Sequence, residues 1–275
     1  MPTKNDVLIV SLSDMHSGSE RALFPNWEVV PEKRAGDSDP APMKGSAIQH
    51  RIFKHFDYCA GEVKKISGGK RLVVVNNGDA VEGAHHGTIQ IMSPHPADQV
   101  KIHIELMEYF LDKCGFSKKR GDELHYVSGT ETHTGWTESG IVNHFSHLSP
   151  GYHDDFRTCI NGREVWHTHH GGNAGDGQNE GDAYRNWLKR IYYNNLKGGK
   201  KQPDIVFTGH VHRPIYASYV QDYHTIHGVI IPSWQLKTRY AYRAAPFQRN
   251  LIGMTITEIT VGGDIRIKRP LLMEM

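Results

Sequence analysis

Along the chain, short apolar runs alternate with longer stretches in which apolar residues return every three or four positions. Residues 7–12 (VLIVSL) and 71–76 (RLVVVN) are rich in β-branched residues, the second bounded by Gly68-Gly69 and Gly78. Each predicts a buried strand. Residues 124–128, 164–168 and 204–208 repeat the pattern, and each ends in a Gly- or His-rich turn. Between them, Ile48, Ile52, Phe53, Phe56, Val63 and Ile66 keep to one helical face, as do Val100, Ile104, Met107, Leu111 and Cys114. A third stripe, Tyr184, Trp187, Leu188, Ile191 and Asn195, predicts a helix with Asp182 as its N-cap. After Ile226 the helical periods stop. Residues 226–232, 251–260 and 265–268 read as strands, the last two joined by the hairpin signal Gly262-Gly263-Asp264.

Strands alternating with helices predict an α/β architecture. No internal repeat or composition break divides the 275 residues, which read as one domain. The outlier is the segment 17–45, a long loop insertion rich in Pro, Gly and charge. Loops of this length are usually functional or disordered. Its place beside the first candidate ligands suits a lid or a substrate-contact loop, and equally a surface insertion of no consequence.

Composition narrows the class. No run of about 18 apolar residues is present, so no membrane span is expected. The N-terminal apolar run is too short for a signal peptide and reads as the first strand. Three cysteines, Cys59, Cys114 and Cys159, are widely spaced and form no CxxC pair, which argues against disulfides and for a reducing cytoplasm. Cys59 and Cys114 fall on helical stripes and are expected in the core. A net charge of +2 demands no nucleic-acid partner. The unusual count is 19 histidines, which cluster where predicted strands end.

Each strand end carries groups that bind metal. After the first comes Asp14-Met15-His16, two ligand types on the same side of an extended chain. After the second, Gly78 permits a tight turn that sets Asp79 at the strand's mouth, followed by Glu82 and the pair His85-His86. After the third comes Gly129-Thr130-Glu131-Thr132-His133, after the fourth His167-Thr168-His169-His170, and after the fifth Gly209-His210-Val211-His212. Alone, each has an ordinary structural explanation: a capping Asp, or a solvated His pair in the case of His85 and His86. Together they are five ligand clusters at five strand ends, where α/β sheets gather their ligands. Mixed oxygen and nitrogen donors without thiolate suit Mn²⁺, Fe, Zn²⁺ or Ni²⁺.

In this order the motifs resemble those of the calcineurin-like metallophosphoesterases: D-x-H, G-D-x-x-D, G-N-H-D/E, a strand-end histidine, then G-H-x-H. Here they read D-M-H, G-D-A-V-E, G-T-E-T-H, H-T-H-H-G and G-H-V-H. The resemblance implies a four-layer α-β-β-α sandwich of two mixed β-sheets, and a centre of two divalent metal ions, Mn²⁺ first among the candidates. One ion would take Asp14, His16, Asp79 and His212. The other would share Asp79 and take His169, His210 and an oxygen ligand from the third motif. The family has Asn and then the catalytic His directly after that motif's Gly, whereas this chain has Thr130 and Glu131. The expectation for this departure is that Glu131 binds metal and His133 supplies the catalytic imidazole that protonates the leaving group. Either His169 or His170 can be the fourth-motif ligand; His169 is favoured, leaving His170 for phosphate or the surroundings of the ligands. Glu82 stands where the family has its second acid and is expected to orient.

The implied substrate is a phosphoester. Residues 185–201 carry six basic and no acidic residues interleaved with Trp187, Tyr192 and Tyr193. They form either a backbone-and-base surface or a helix whose aromatic face packs on the sheet. With the patch Tyr240-Ala241-Tyr242-Arg243 they tilt the expectation to a phosphodiester, nucleic acid or nucleotide. A phosphomonoesterase would show the same motifs, and an inactive scaffold that keeps the fold stays open.

Overall fold

A computed structural model describes residues 5–33, 40–84, 89–135, 137–244 and 249–275. The first half of the chain forms β1 (Val7–Leu12), α1 (Ala47–Ser67), β2 (Arg71–Asn77), α2 (Pro96–Cys114), β3 (Glu123–Val127), α3 (Glu131–Thr134), α4 (Thr137–His144) and β4 (Gly151–His153). There follow β5 (Asp155–Ile160), β6 (Arg163–Thr168), α5 (Asp182–Lys197), β7 (Ile205–Thr208), β8 (Ile215–Gln221) and β9 (His224–Ile230). The chain closes with α6 (Arg239–Ala244), β10 (Leu251–Ile259), β11 (Ile265–Ile267) and β12 (Leu271–Glu274).

The strands form two mixed sheets. In the first, ordered β11-β10-β1-β2-β3-β4 with β12 also on β10, strands β1 to β4 run parallel and β10 runs against β1. The second is ordered β5-β6-β7-β9-β8, with β6, β7 and β9 parallel. The period of two along β1 and β2 assigns the layers. Leu8, Val10, Leu12, Leu72 and Val74 join the core beneath α1 and α2, whereas Val7, Ile9, Val73 and Val75 join one with Val165, Ile205 and Phe207 of the second sheet. On the far side, Tyr184, Leu188 and Ile191 of α5 pack on Val206, Ile226 and Ile230. The result is the expected four-layer α-β-β-α sandwich. Both central sheets are covered on both faces, which is why their strands read as continuous apolar runs.

Helix α1 starts at Ser46 with a complete capping box to Gln49, and its buried face is Ile52, Phe53, Phe56, Cys59, Ala60 and Val63. On α2 the buried face keeps Met107, Leu111 and Cys114 of the expected stripe and adds Ile102, Leu106 and Phe110, with Val100 and Ile104 at its margin. Asp182 is not the N-cap of α5. Gly181 holds that place at φ 84°, a left-handed turn that glycine takes without strain, and Asp182 pairs instead with Arg185 at 2.6 Å. Strands β4, β5, β8 and β12 were not legible as strands because they are short or lie at sheet edges, where polar positions interrupt the apolar pattern.

The start of the 17–45 segment is a packed strap. Single bridges tie Ser17 to Val81, Ser19 to Ile91, Ala22 to Gln235 and Val29 to Met43, and Leu23, Phe24 and Val29 are buried. Trp27 meets the Phe53 ring edge-on at 5.4 Å and donates to Glu105 at 2.6 Å. Residues 34–39 lie outside the described residues.

One polar group in the core under α2 sets a pH dependence. His103 is fully buried, its Nε2 3.2 Å from the Tyr126 hydroxyl, and burial pushes its pKa down to about 3. The native state therefore refuses a proton that the unfolded chain accepts below its ordinary value near 6.5. Stability from this group is complete above that value and is lost as pH falls towards 3, by at most about 1.4 kcal/mol per pH unit. Urea unfolding at a series of pH values should show a shallower acid loss in His103→Gln than in the parent. Equal slopes would show that His103 is not the source.

Candidate metal centre

The carboxyl ends of β1, β2, β3, β6 and β7 open onto one spot, so the five ligand-bearing loops converge across both sheets. They approach so closely that two glycines are obligatory. A Cβ on Gly129 would collide with the backbone and carboxylate of Asp79, and one on Gly209 with the Ser13 hydroxyl and the Asp14 carboxylate. The backbone is strained where the ligands sit. Nine non-glycine residues among those described have left-handed φ, and five of them are Asp14, His16, Asp79, His210 and His212. Each such conformation costs of order 1–3 kcal/mol and persists only where surroundings enforce it.

The donor atoms form four overlapping trios, each with its atoms within 4.8 Å of one another: Asp14–His16–His212, Asp14–Asp79–His169, His169–His170–His210 and His16–Glu82–His133. His16 Nε2 faces His212 Nε2 at 3.1 Å, and Asp14 Oδ1 is also 3.1 Å from His212 Nε2. The other Asp14 oxygen accepts from the Ser13 hydroxyl at 2.5 Å and from the His210 N–H at 3.0 Å. Asp79 Oδ1 accepts the Thr130 N–H at 2.6 Å, and its Oδ2 lies 3.0 Å from His169 Nε2.

Asp14 and Asp79 are buried, and among the described residues no Lys or Arg pairs with either. Burial raises both pKa values, but the imidazoles outweigh it: His212 chiefly for Asp14, His169 for Asp79, so both carboxyls stay below the usual range. Burial lowers the pKa of His169, yet Asp79 and Asp14 push it up to about 9. Two buried carboxylates balanced only by imidazoles are what a divalent cation neutralises best. His169 Nδ1 donates to the Asn77 carbonyl at 2.7 Å, while its buried Nε2 makes no hydrogen bond of good geometry although it faces Asp79. That tautomer leaves the Nε2 lone pair available to a cation. The donor set fits a metal centre.

The neighbouring groups fall as follows. Glu82 Oε2 lies 2.8 Å from His16 Nδ1 and accepts Gln235 Nε2 at 2.6 Å. Burial opposes a charge on His16, but Glu82 raises its pKa. His133 donates through Nδ1 to the Glu82 carbonyl at 2.8 Å, and its ring is 4.8 Å from that of His16. Glu131 is exposed at the first residue of α3 and belongs to none of the four trios. The oxygen nearest the place expected of it is the Thr130 hydroxyl, 3.3 Å from Asp79 Oδ2 and 3.4 Å from His210 Nδ1. His170 shares a trio with His169 and His210 and is exposed. His85 and His86 lie outside the described residues.

Sequence reading missed two residues here. Glu138 is buried on α4 and accepts the Ala80 N–H at 3.2 Å and the Gly129 N–H at 2.9 Å, tying the β2 and β3 loops together; burial pushes its pKa up to about 7. Gln235 comes from a segment with no motif at all. A helix of eight residues shows too little period to single out one acid, so no signal marked Glu138.

A carboxylate that orients a ligating histidine typically contributes 10–100-fold to metal affinity. Glu82→Gln is therefore expected to weaken binding at the His16 site by that order, read by titration calorimetry with Mn²⁺. Affinity unchanged from the parent would remove Glu82 from this role.

The basic segment on α5 resolves towards packing. Trp187 stacks on Tyr184 and Trp166, and Tyr192 is buried, so those two rings face the sheet. Tyr242 of the second patch is exposed, with Lys237 Nζ 5.4 Å from its ring centre.

No family model and no curated protein matches the sequence. Solved structures with similarity include an archaeal phosphodiesterase, 9% identical over 98% of this chain and 99% of that one, with a TM-score of 0.42. A sulfate thiohydrolase from Thermus thermophilus is 10% identical over 100% of this chain and 59% of that one, with a TM-score of 0.40. A NAD nucleotidase from Haemophilus influenzae is 12% identical over 96% and 55%, also at 0.40. The chain thus spans little more than half the length of the latter two. These likenesses are remote, and the functional reading rests on the site itself. No described helix is long and apolar enough to cross a membrane.

Proposed function

We propose that the chain is a two-metal phosphoester hydrolase that prefers diesters, with His133 as the general acid. The observation that carries this reading is the convergence of nine Asp, Glu and His side chains into four trios at one sheet end, with no thiolate among them. Asp14, His16, Asp79 and His212 would hold one cation. Asp79, His169 and His210, with the Thr130 hydroxyl as the oxygen donor, would hold the other, and His170 is at hand for substrate phosphate. Bound divalent cations acidify water into a nucleophile and neutralise charge on the phosphate oxygens. Thr130 replaces Glu131 in this assignment because its hydroxyl is the group beside both Asp79 and His210.

The protein's own part begins with orientation. The Glu82 side chain holds His16, while its carbonyl holds His133 by Nδ1. With Nδ1–H held by that carbonyl, Nε2 carries a proton only in the imidazolium form, and in that form it delivers the proton to the leaving oxygen and returns to the neutral Nδ1–H tautomer. Support for a diester is the exposed Tyr242 ring with the buried Lys237 Nζ 5.4 Å from its centre, in the stretch that follows Gln235, the residue backing Glu82.

Elemental analysis tests the reading, together with turnover of bis-(4-nitrophenyl) phosphate and 4-nitrophenyl phosphate in added Mn²⁺. Two metals per chain with diester turnover are expected. Turnover of the monoester alone would make the protein a phosphatase. No metal and no turnover would make it a scaffold.

A further inference from the structure

A cleft of about 510 Å³ opens beside His133, and no group in it is used by the metal centre except His133 itself. It is lined by His133 and Glu131 of α3, by Pro96 and Gln99 of α2, and by Val81 and Ala84 from the loop after β2. The volume is that of a small-molecule site. Its uncharged polar side chains are already engaged: Gln99 accepts the Gly83 N–H at 2.8 Å and donates to the Ser93 carbonyl at 2.9 Å, and the Thr134 and Thr137 hydroxyls donate to the Thr130 and Thr134 carbonyls. Among the described lining residues the ionisable groups are His133 and the exposed Glu131, and there is no Lys or Arg.

We propose that this cleft is the leaving-group subsite, that it takes a compact uncharged or cationic alcohol, and that Glu131 repels anionic ones. The inference rests on the hydrolase reading above. The geometry is that of a residue shared between two compartments: His133 belongs to a trio with His16 and Glu82 and also lines the cleft. An oxygen protonated by His133 therefore carries its organic group into the cleft. A polynucleotide strand in that position would bring further phosphates against Glu131, with no Lys or Arg among the described lining residues to receive them. A phosphodiester with a single organic alcohol of nucleoside size or smaller meets the volume and the charge. Glu131, expected from sequence as a metal ligand, becomes a selector.

The test uses two methyl phosphodiesters, one of 4-nitrophenol and one of a 4-nitrophenol bearing a ring carboxylate, with the parent, Glu131→Gln and Ala84→Trp. Comparing the ratio of kcat/KM values between proteins cancels the intrinsic reactivity of the two esters. Glu131→Gln is expected to raise the relative rate on the carboxylate ester roughly tenfold, the size of one unit-charge repulsion near a protein surface. It should also keep the parent's metal content. Ala84→Trp should raise KM for the neutral ester by filling the cleft. A ratio unmoved by Glu131→Gln, or loss of metal in that variant, would overturn the subsite alone. No turnover of either ester by the metal-loaded parent would overturn the hydrolase reading and the subsite with it.

Discussion

Asp79→Ala is expected to leave the purified protein at least one metal equivalent short and to reduce diester turnover on the order of 10³-fold, because several kcal/mol of charge stabilisation go with a cation. The argument is positional. Asp79 has both oxygens engaged by groups from other loops, Oδ1 by the Thr130 N–H and Oδ2 by His169, while His16 Nε2 lies 3.9 Å from Oδ2. It therefore joins the groups from β1, β3 and β6, and no neighbour can substitute. Its left-handed backbone also disfavours alanine, so the fold of the variant is to be checked by circular dichroism. Asp79→Asn, which tolerates that conformation and keeps the shape, should show the same metal deficit. Full metal occupancy in both variants would remove Asp79 from the centre.

His133→Ala is expected to keep its metal and lose roughly 10²–10⁴-fold in kcat, the usual range for general acid catalysis. The loss should be largest for esters with poor leaving groups, since nitrophenolate departs without a proton and an alkoxide does not. His133 sits on the four-residue helix α3, tied by Nδ1 to a backbone carbonyl, with its half-buried ring 4.8 Å from that of His16 and outside the hydrophobic core, so its truncation leaves the core packing in place. A uniform loss across leaving groups would mean that His133 binds the phosphate. Loss of metal would make it a ligand.

Most of the fold was legible because β1, β2 and β7 are covered on both faces and so are written as uninterrupted apolar runs, and α1 carries both a stripe and a capping box. The ligand loops were legible for a related reason: an Asp or His at a strand end is conspicuous against the apolar residues before it. What stayed hidden depends on contacts distant in sequence. Nothing local marks Gln235, whose partner Glu82 is 153 positions away, or Glu138, which acts on two backbone amides in other loops. The third motif was hard to read because Thr130 and Glu131 are neighbours in the chain, and it is the start of α3 that sets the Thr130 hydroxyl beside Asp79 and His210 and leaves Glu131 exposed. Likewise the aromatic residues of α5 look the same in sequence whether they stack on bases or on Trp166.

His16 and His212 stand 196 positions apart in the chain and belong to loops on different sheets. A cation held between them would act as a reversible cross-link that closes 196 of the chain's 275 positions into a ring. Such a closure removes conformations from the unfolded ensemble, as a disulfide of similar span does, but it opens and closes with metal supply. The lifetime of the folded chain would then follow the free concentration of the ion, coupling protein turnover to metal availability without any separate sensor.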